Sequence, residues 1–320
     1  MSAIVTERLN TGNHTGYRQW TGTKVSAQEI AELYQGLKQS YLDDFDMMLS
    51  GYVPGAPALQ AVGEIARELK ARAKESGNPG SFFWVLDPVM GDNGNLYVAQ
   101  DVVPVYKSLI CYADLILPNQ FEAELLSGVK IEDMTSLGRA IQVMHEEYGI
   151  PHIVITSVSL SHPDHPESSL SVVGSTMTSD HKARPWKIVF PAIDCYFSGT
   201  GDMFAALMVV RMRQAVCAEK AAGALMATES WRSDDGVDAL DLPLAKAAEK
   251  VLASMHEVLT KTCEAMDQKM EGLRAKIAAA EDESTKSTLR LMQTKAAELR
   301  LVRHVDSLRF PKVDFRAVKM

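Results

Sequence analysis

The chain has 320 residues, of which 46% are hydrophobic and 23% charged; these globular proportions leave room for one or two domains with a large core and exclude a disordered, collagen-like or disulfide-stapled protein. Forty-one acidic residues against 33 basic ones give a formal charge of −8, which disfavours the broad positive surface that phosphate-backbone binding needs, so nucleic acid is not an expected partner. The four cysteines, Cys111, Cys195, Cys217 and Cys263, stand far apart with no Cys-x-x-Cys spacing, and they read as reduced thiols of a cytosolic protein, with neither a zinc site nor a redox pair.

The N-terminus carries no apolar leader and no stretch approaches about 18 uninterrupted apolar residues, so neither secretion nor membrane insertion is expected. Asn13-His14-Thr15 matches a glycosylation sequon, but without a route to the secretory pathway it is read as chance or as serving another purpose. Ser26-Ala27-Gln28-Glu29 predicts a capping box opening a helix to about Gln39. Strands are predicted at Met47 to Leu49, Phe82 to Leu86, Leu115 to Leu117 and Ile153 to Ile155, with helices at Ala58 to Lys74 and Thr135 to Glu147. This alternation is the mark of βαβ units and a parallel sheet. The segment from Ser161 to Arg184, interrupted by Pro163 and Pro166, predicts loops around a strand at Leu170 to Val173.

After Gly201 the pattern turns helical, with helices predicted at Met203 to Arg213 and Ala215 to Trp231 before a polar break at Ser233 to Gly236. From Val251 a stripe through Met255, Val258, Thr262, Met266, Met270, Leu273 and Ile277 repeats every three to four residues. A break at Glu281 to Ser284 and a charged helical pattern at Leu289 to Leu299 suggest a solvated helical hairpin or extension, with too few heptads for a coiled coil. Val313 and Phe315 alternate with polar residues and predict a last edge strand.

Three predicted strands run into polar residues: Asp87-Pro88, Pro118-Asn119 and Thr156-Ser157. Ligand crevices of parallel α/β sheets lie at the carboxyl ends of strands, so these groups are expected to converge. Gly199-Thr200-Gly201-Asp202 opens a helix, and glycines before a helix N-terminus let backbone amides and the positive dipole end meet a phosphate. Asp202, in the first turn, is placed to act as a base on a hydroxyl beside that phosphate; the plain alternative is an ordinary capping aspartate. Asp87, Asp92 and Glu122 are hard oxygen ligands suited to Mg²⁺, or are solvated turn carboxylates. His162 and His165 around Asp164 read as a solvated loop before a metal site. No Walker A or Rossmann glycine pattern is present.

Taken together, Asn13-His14-Thr15-Gly16-Tyr17, Ser50-Gly51-Tyr52, Asp87-Pro88-Val89-Met90-Gly91-Asp92, Pro118-Asn119-Gln120-Phe121-Glu122-Ala123-Glu124-Leu125-Leu126, Thr156-Ser157 and Gly199-Thr200-Gly201-Asp202 resemble, in identity and order, the motifs of pyridoxal kinases of the ribokinase-like superfamily. The resemblance implies a three-layer α/β/α sandwich with a mostly parallel central sheet, in one kinase domain over residues 1–320, with helical insertions at 218–241 and 270–289. It implies transfer of the ATP γ-phosphoryl group to the 5′-hydroxyl of pyridoxal, pyridoxine or pyridoxamine. Asp202 would be the base, and the Gly199, Thr200 and Gly201 backbone would stabilise the transferring group. Asp87, Asp92, Asn119 and Glu122 would surround Mg²⁺, or another divalent cation, and the ATP phosphates, with Asp92 and Glu122 as the metal residues; Thr156 and Ser157 would contact the nucleotide. Thr15 and Tyr52 would lie on the vitamin side, and Tyr97 would belong to a flap. A monovalent cation is expected beside Mg²⁺, although Leu117 stands where relatives can offer a threonine. A homodimer in the cytoplasm, with the nucleus as a second location, completes the expectation.

The front departs from the family, whose members place a strand with a vitamin-contacting serine, a helix and a second strand before the Asn-His-Thr-Gly-Tyr motif. Only twelve residues precede Asn13 here, and a βα unit does not fit in them. An N-terminally shortened fold is therefore expected. The competing readings are a catalytically impaired short form that binds a full-length kinase, and a related hydroxymethylpyrimidine-type kinase.

Overall fold

The computed structural model describes residues 7–9, 22–160, 168–195, 197–279 and 282–320. The first elements, β1 (Glu7–Leu9) and β2 (Gly22–Lys24), pair antiparallel outside the main sheet. Thr15 and the whole Asn13 to Tyr17 motif lie outside the described residues, as do His162, Asp164 and His165.

Helix α1 (Ala27–Gln39) starts at the predicted capping box, with the Ser26 hydroxyl accepting from the Glu29 amide and the Glu29 carboxylate accepting from the Ser26 amide. Then follow β3 (Met47–Ser50), α2 (Ala56–Glu75), β4 (Phe83–Leu86), the short hairpin strands β5 (Gly91–Asp92) and β6 (Asn95–Leu96), α3 (Val102–Leu109), β7 (Leu115–Ile116), α4 (Gln120–Ser127), α5 (Met134–Tyr148) and β8 (His152–Val158). The remaining elements are β9 (Ser169–Thr176), β10 (Pro185–Pro191), α6 (Thr200–Cys217), α7 (Ala222–Ala227), α8 (Pro243–Ala279), α9 (Glu283–Ala296), α10 (Val305–Arg309) and β11 (Val318–Lys319).

The seven-stranded sheet has the order β11-β10-β9-β8-β7-β4-β3. Strands β3, β4, β7 and β8 are mutually parallel, and β9, β10 and β11 extend the sheet antiparallel. Because successive side chains point to opposite faces, β4 sends Trp84 and Leu86 to the face covered by α1 to α5, and Phe83 and Val85 to the face covered by α6 and α8. Both faces are therefore dry, which is why this strand reads as an unbroken apolar run. The result is the expected three-layer α/β/α sandwich.

Several elements differ from the sequence expectation. Strand β10 was not predicted, because prolines bound it and Lys187 interrupts it; β9 is longer than its apolar Leu170 to Val173 centre because Ser171, Gly174, Ser175 and Thr176 continue the ladder. The single helix predicted from Ala215 to Trp231 breaks into the end of α6 and the short α7. Beyond it, Trp231 adopts φ 50° and enters the core, donating to the Gly80 carbonyl at 2.8 Å and stacking on Phe83 at 4.3 Å. The last strand is Val318–Lys319, not the Val313 and Phe315 stretch; Phe315 instead packs edge-on against Phe190 and His256. The first turns of α8 belong to the main core through Leu244, Ala248, Val251 and Leu252, so they are not a solvated extension. Among the described residues no helix is long and apolar enough to cross a membrane.

Candidate active site

The four parallel strands end at one edge of the sheet, and the residues that follow them are those picked out by their polarity. Ser50 accepts the Asp87 amide through its carbonyl at 2.8 Å, and Asn119 and Thr156 form a parallel bridge just past β7 and β8. A cavity of about 450 Å³ opens there. Asp87, Asp92, Tyr97, Asn119, Glu122, Thr156, Ser157, Thr200 and Gly201 all line it, so the structure brings these predicted residues together. Gly199 and Asp202 stand at its edge on α6, and Tyr52 lies beyond β3 near Tyr106; these three are not in the cavity wall.

Gly199 caps α6 with φ 80°, a left-handed conformation that a side chain would strain. The first amides of α6 have no acceptor within the helix, so they are free to meet an anion together with the positive dipole end. Asp202, in the first turn and exposed, faces Gly51: a Cβ on that glycine would lie 4.0 Å from Asp202 Oδ1. On the other side, a Cβ on Gly201 would lie 3.9 Å from Asp87 Oδ2. The helix N-terminus thus stands between two aspartates.

Glu122 is held more tightly than a free ligand would be. It is the third residue of the α4 capping box, so Oε2 accepts from the Asn119 amide at 2.9 Å, and Oε1 accepts from the Met90 and Gly91 amides at 2.8 and 3.3 Å. Asn119 returns the contact by donating Nδ2 to the Gly91 carbonyl at 2.8 Å. Most of the lone pairs of Glu122 are therefore spent on backbone, which suits it to fix the 90–92 segment and leaves little capacity for direct metal ligation. Asp92 accepts from the Asn93 amide at 2.8 Å and remains exposed at the cavity wall.

The hairpin that carries Asp92 has a local signature that strand patterning passes over. Asn93 and Gly94 have φ of 49° and 79°, the pair of left-handed residues that a two-residue hairpin turn requires, and Asn-Gly is its strongest sequence signal. Gly91 is obligatory for a different reason: a Cβ there would sit 2.1 Å from the Asn95 carbonyl oxygen. Tyr97 follows the hairpin, ties its amide to the Met90 carbonyl at 2.8 Å, lines the cavity and is 63% exposed.

The carboxylates at the cavity disfavour one another's charge. Asp87 is pushed well above the usual carboxylate range, first by burial and then by Glu122 and Asp202 nearby; burial pushes Glu122 up to about 7 despite its amide partners. Below them the Tyr106 hydroxyl is fully buried, without a hydrogen-bond partner among the described residues, and its pKa is raised by burial and by the Asp87 and Glu122 charges. Among the described residues no group of three or more His, Cys, Asp or Glu side chains is arranged to hold a metal alone. Such a site fits a divalent ion that arrives with phosphates, since Mg²⁺ keeps waters and needs only one or two carboxylates. Leu117 is buried and lines the cavity, and its side chain has no oxygen to offer a second ion.

The other end of the cavity is apolar and was not foreseen. Leu170 and Val172 of β9, Phe190 of β10, Phe204 of α6, and Leu252, Met255, His256 and Leu259 of α8 form its walls. The α8 residues recur at helical spacing on a face that adjoins the predicted stripe and shares Met255 with it, while Val251, Val258 and Thr262 of the stripe are fully buried. Cys195 also lines the cavity, its thiol donating to Met266 Sδ at 3.6 Å, and it packs with Cys263 around that methionine, bringing together two thiols that the sequence separates widely; none of the four cysteines is in a disulfide, and burial pushes the Cys195 thiol up to about 11.

Comparison with known proteins agrees with this geometry. Residues 64–224 match the phosphomethylpyrimidine kinase family. The chain is 34% identical over 272 residues to pyridoxal kinase of Homo sapiens, spanning 82% of this chain and 77% of that one. It is 30% identical over 307 residues to pyridoxal kinase of Arabidopsis thaliana, spanning 95% and 81%. Among solved structures, pyridoxal kinase from Leishmania donovani in complex with ADP and pyridoxamine has a TM-score of 0.73 at 25% identity, covering 99% of this chain and 88% of that one.

Proposed function

The chain belongs to the pyridoxal kinase family of the ribokinase-like superfamily, and from that premise we propose that it transfers the γ-phosphoryl group of ATP to the 5′-hydroxyl of pyridoxal, pyridoxine or pyridoxamine. The observation that carries this reading is the α6 N-terminus, with its free amides open to a phosphate and Asp202 turned towards Gly51 on the side away from the cavity. An acceptor alcohol between Gly51 and Asp202 would meet a γ-phosphoryl held by α6 from a nucleotide lying in the cavity.

In that arrangement Asp202 accepts the proton of the 5′-hydroxyl while its oxygen attacks phosphorus, and the bond between phosphorus and the β,γ-bridging oxygen breaks. ADP leaves, and Asp202 releases its proton to solvent, to which it is exposed. The α6 amides meet the charge on the equatorial oxygens of the transferring group at no reorganisation cost. Asp87 and Asp92 are the carboxylates that would hold Mg²⁺, with Glu122 acting through the segment it fixes; when bound, the ion supplies neutralisation of the phosphate charge. Thr156 and Ser157, the latter at φ 54° where β8 bulges, would contact the nucleotide. Tyr97 would cover the site, and Tyr52 and Thr15 would face the vitamin. A monovalent cation would require oxygens other than a side chain at 117. A cytoplasmic homodimer is part of the same proposal.

The decisive experiment incubates the purified chain with Mg²⁺ and ATP and each of the three vitamers, following phosphate-ester formation by chromatography. Hydroxymethylpyrimidine serves as the competing acceptor, because the family matched over residues 64–224 carries a pyrimidine-kinase description. Preferential phosphorylation of the vitamers is expected. Phosphorylation of the pyrimidine alone would replace this reading, and ATP binding without turnover would favour the impaired partner-binding form.

A further inference from the structure

The apolar end of the cavity holds one imidazole whose nitrogens are unused. His256 lies on α8 between Met255 and Leu259, half-buried, and lines the cavity opposite β9 and β10. Its ring stands nearly perpendicular to that of Phe315, with centroids 4.9 Å apart and an 80° interplanar angle. Phe315 is in turn braced edge-on by Phe190 at 6.3 Å and 60°. Aromatic rings prefer such edge-to-face contacts, which hold a ring in one orientation. Among the described residues no hydrogen bond engages either ring nitrogen of His256, whereas His145 and His152 have both of theirs occupied.

On the reading above, the acceptor sits at Gly51 and Asp202 and the transferring phosphoryl at the α6 N-terminus. The in-line geometry of phosphoryl transfer then sends the rest of the donor away from Asp202, into the cavity and towards its apolar end. Val172, Phe190 and Leu259 give the cavity an apolar lining suited to a planar base, but the polar edge of such a base needs partners there. His256 and the Cys195 thiol are the hydrogen-bonding side chains at that end. A neutral imidazole offers one acceptor and one donor, whereas a thiol is weak in both roles.

We propose that His256 is a specificity-determining residue for the phosphoryl donor, with a ring nitrogen accepting a hydrogen bond from the exocyclic amine of an aminopurine base. The inference rests on the kinase reading for its choice of ligand. It places His256 in recognition and not in chemistry, since His256 lines the cavity from α8, whereas Asp202 is not in the cavity wall.

The test compares ATP with purine riboside 5′-triphosphate, which lacks the amine, in the wild-type chain and in His256→Leu and His256→Gln. A net hydrogen bond of this kind corresponds to about a fivefold to tenfold change in affinity. The wild type should bind ATP more tightly than the analogue by that factor. His256→Leu should lose the difference by weakening ATP alone, with kcat and the KM for the vitamer unchanged. His256→Gln, which keeps an acceptor, should retain most of the difference and carries the test if the leucine variant does not fold. Equal discrimination in the wild type and a folded variant lacking the acceptor, no discrimination in the wild type, or loss of discrimination in His256→Gln overturns the assignment. Binding measured by calorimetry without vitamer separates this from the kinase reading: discrimination between the two nucleotides stands even where turnover is absent.

Discussion

Asp114 and Asp87 are both aspartates at strand ends with their carboxylates out of water, and they are held in opposite ways. Asp114 precedes β7 at the amino edge of the parallel strands, where it accepts from the Trp84 amide at 2.7 Å, from Lys70 at 2.7 Å and from the Ser230 hydroxyl. Around it several buried polar side chains of the same edge are satisfied as well. His152 bonds Thr176 and the Ser230 carbonyl, His145 bonds the Ile150 carbonyl and Ser175, and the Arg184 guanidinium donates to the carbonyls of Thr176, Ser233 and Asp234. Asp87 follows β4 at the carboxyl edge, and among the described residues nothing donates to its carboxylate; its charged neighbours are Glu122 and Asp202, and Tyr106 lies beneath with an unused hydroxyl. A buried carboxylate with partners is part of the scaffold. One without them, beside others of the same sign, is the group that the proposed Mg²⁺ would satisfy.

The sharpest way to break this comparison is to remove one carboxylate from each edge. Asp202→Asn should lower kcat by about 10²- to 10⁴-fold, the usual worth of a general base, with the thermal midpoint unchanged because Asp202 is exposed; comparable turnover in the variant would remove the base from Asp202. Asp114→Ala should do the reverse, lowering the unfolding free energy in urea by about 3–5 kcal/mol through the stranded Lys70 and Trp84 amide, while the folded fraction keeps its kcat.

The two edges also titrate with opposite sign. His145 and His152 are pushed down by burial to about 4 and about 3, so their stability is present above the unfolded value near 6.5 and is lost as pH falls towards those values. Asp87 and Glu122 are pushed up, Glu122 to about 7, so their contribution is present below the ordinary carboxylate range and is lost as pH rises through the folded value. In the window from about pH 4.5 to about 6.5 the effects oppose each other, and the free chain should show a shallow pH dependence. Saturating Mg²⁺ and ATP, which hold the carboxylates ionised, should expose the histidine dependence at up to about 1.4 kcal/mol per pH unit for each histidine. An unchanged slope in denaturant melts with and without nucleotide would sink the claim that the carboxyl edge awaits a cation. The smallest expected effect is that of Asp87→Asn, which should stabilise the ligand-free chain by about 1 kcal/mol at pH 8 while raising the KM for Mg²⁺ and ATP.

Much of the carboxyl edge is legible in the sequence because its signals are local. A capping box spans three residues, so Ser26 with Glu29 and Asn119 with Glu122 announce their helices directly. A left-handed glycine before a helix is equally local, and Gly199 with Asp202 could be placed together before any packing was known. Strand endings in Asp-Pro, Pro-Asn and Thr-Ser stand out because a strand buried on both faces cannot carry them in its middle. The hairpin at Asn93 and Gly94 was legible too, by its turn residues rather than its short strands.

What remained hidden depends on contacts between distant segments. Strand β10 is a strand because β9 and β11 pair with it, and its bounding prolines and Lys187 conceal this from any window of sequence. Cys195 and Cys263 meet only because α8 packs beside the 192–195 segment, and His256 becomes a cavity residue only because Phe315 returns to hold it. By itself, then, the sequence determined the α/β class, the glycine-capped helix N-terminus and the acidic set, all of which follow from short-range backbone and capping chemistry. The tertiary structure alone decided which carboxylates are paired and which are left without a partner, and which helical stripe walls the cavity, because burial and charge pairing are properties of neighbours brought together by the fold.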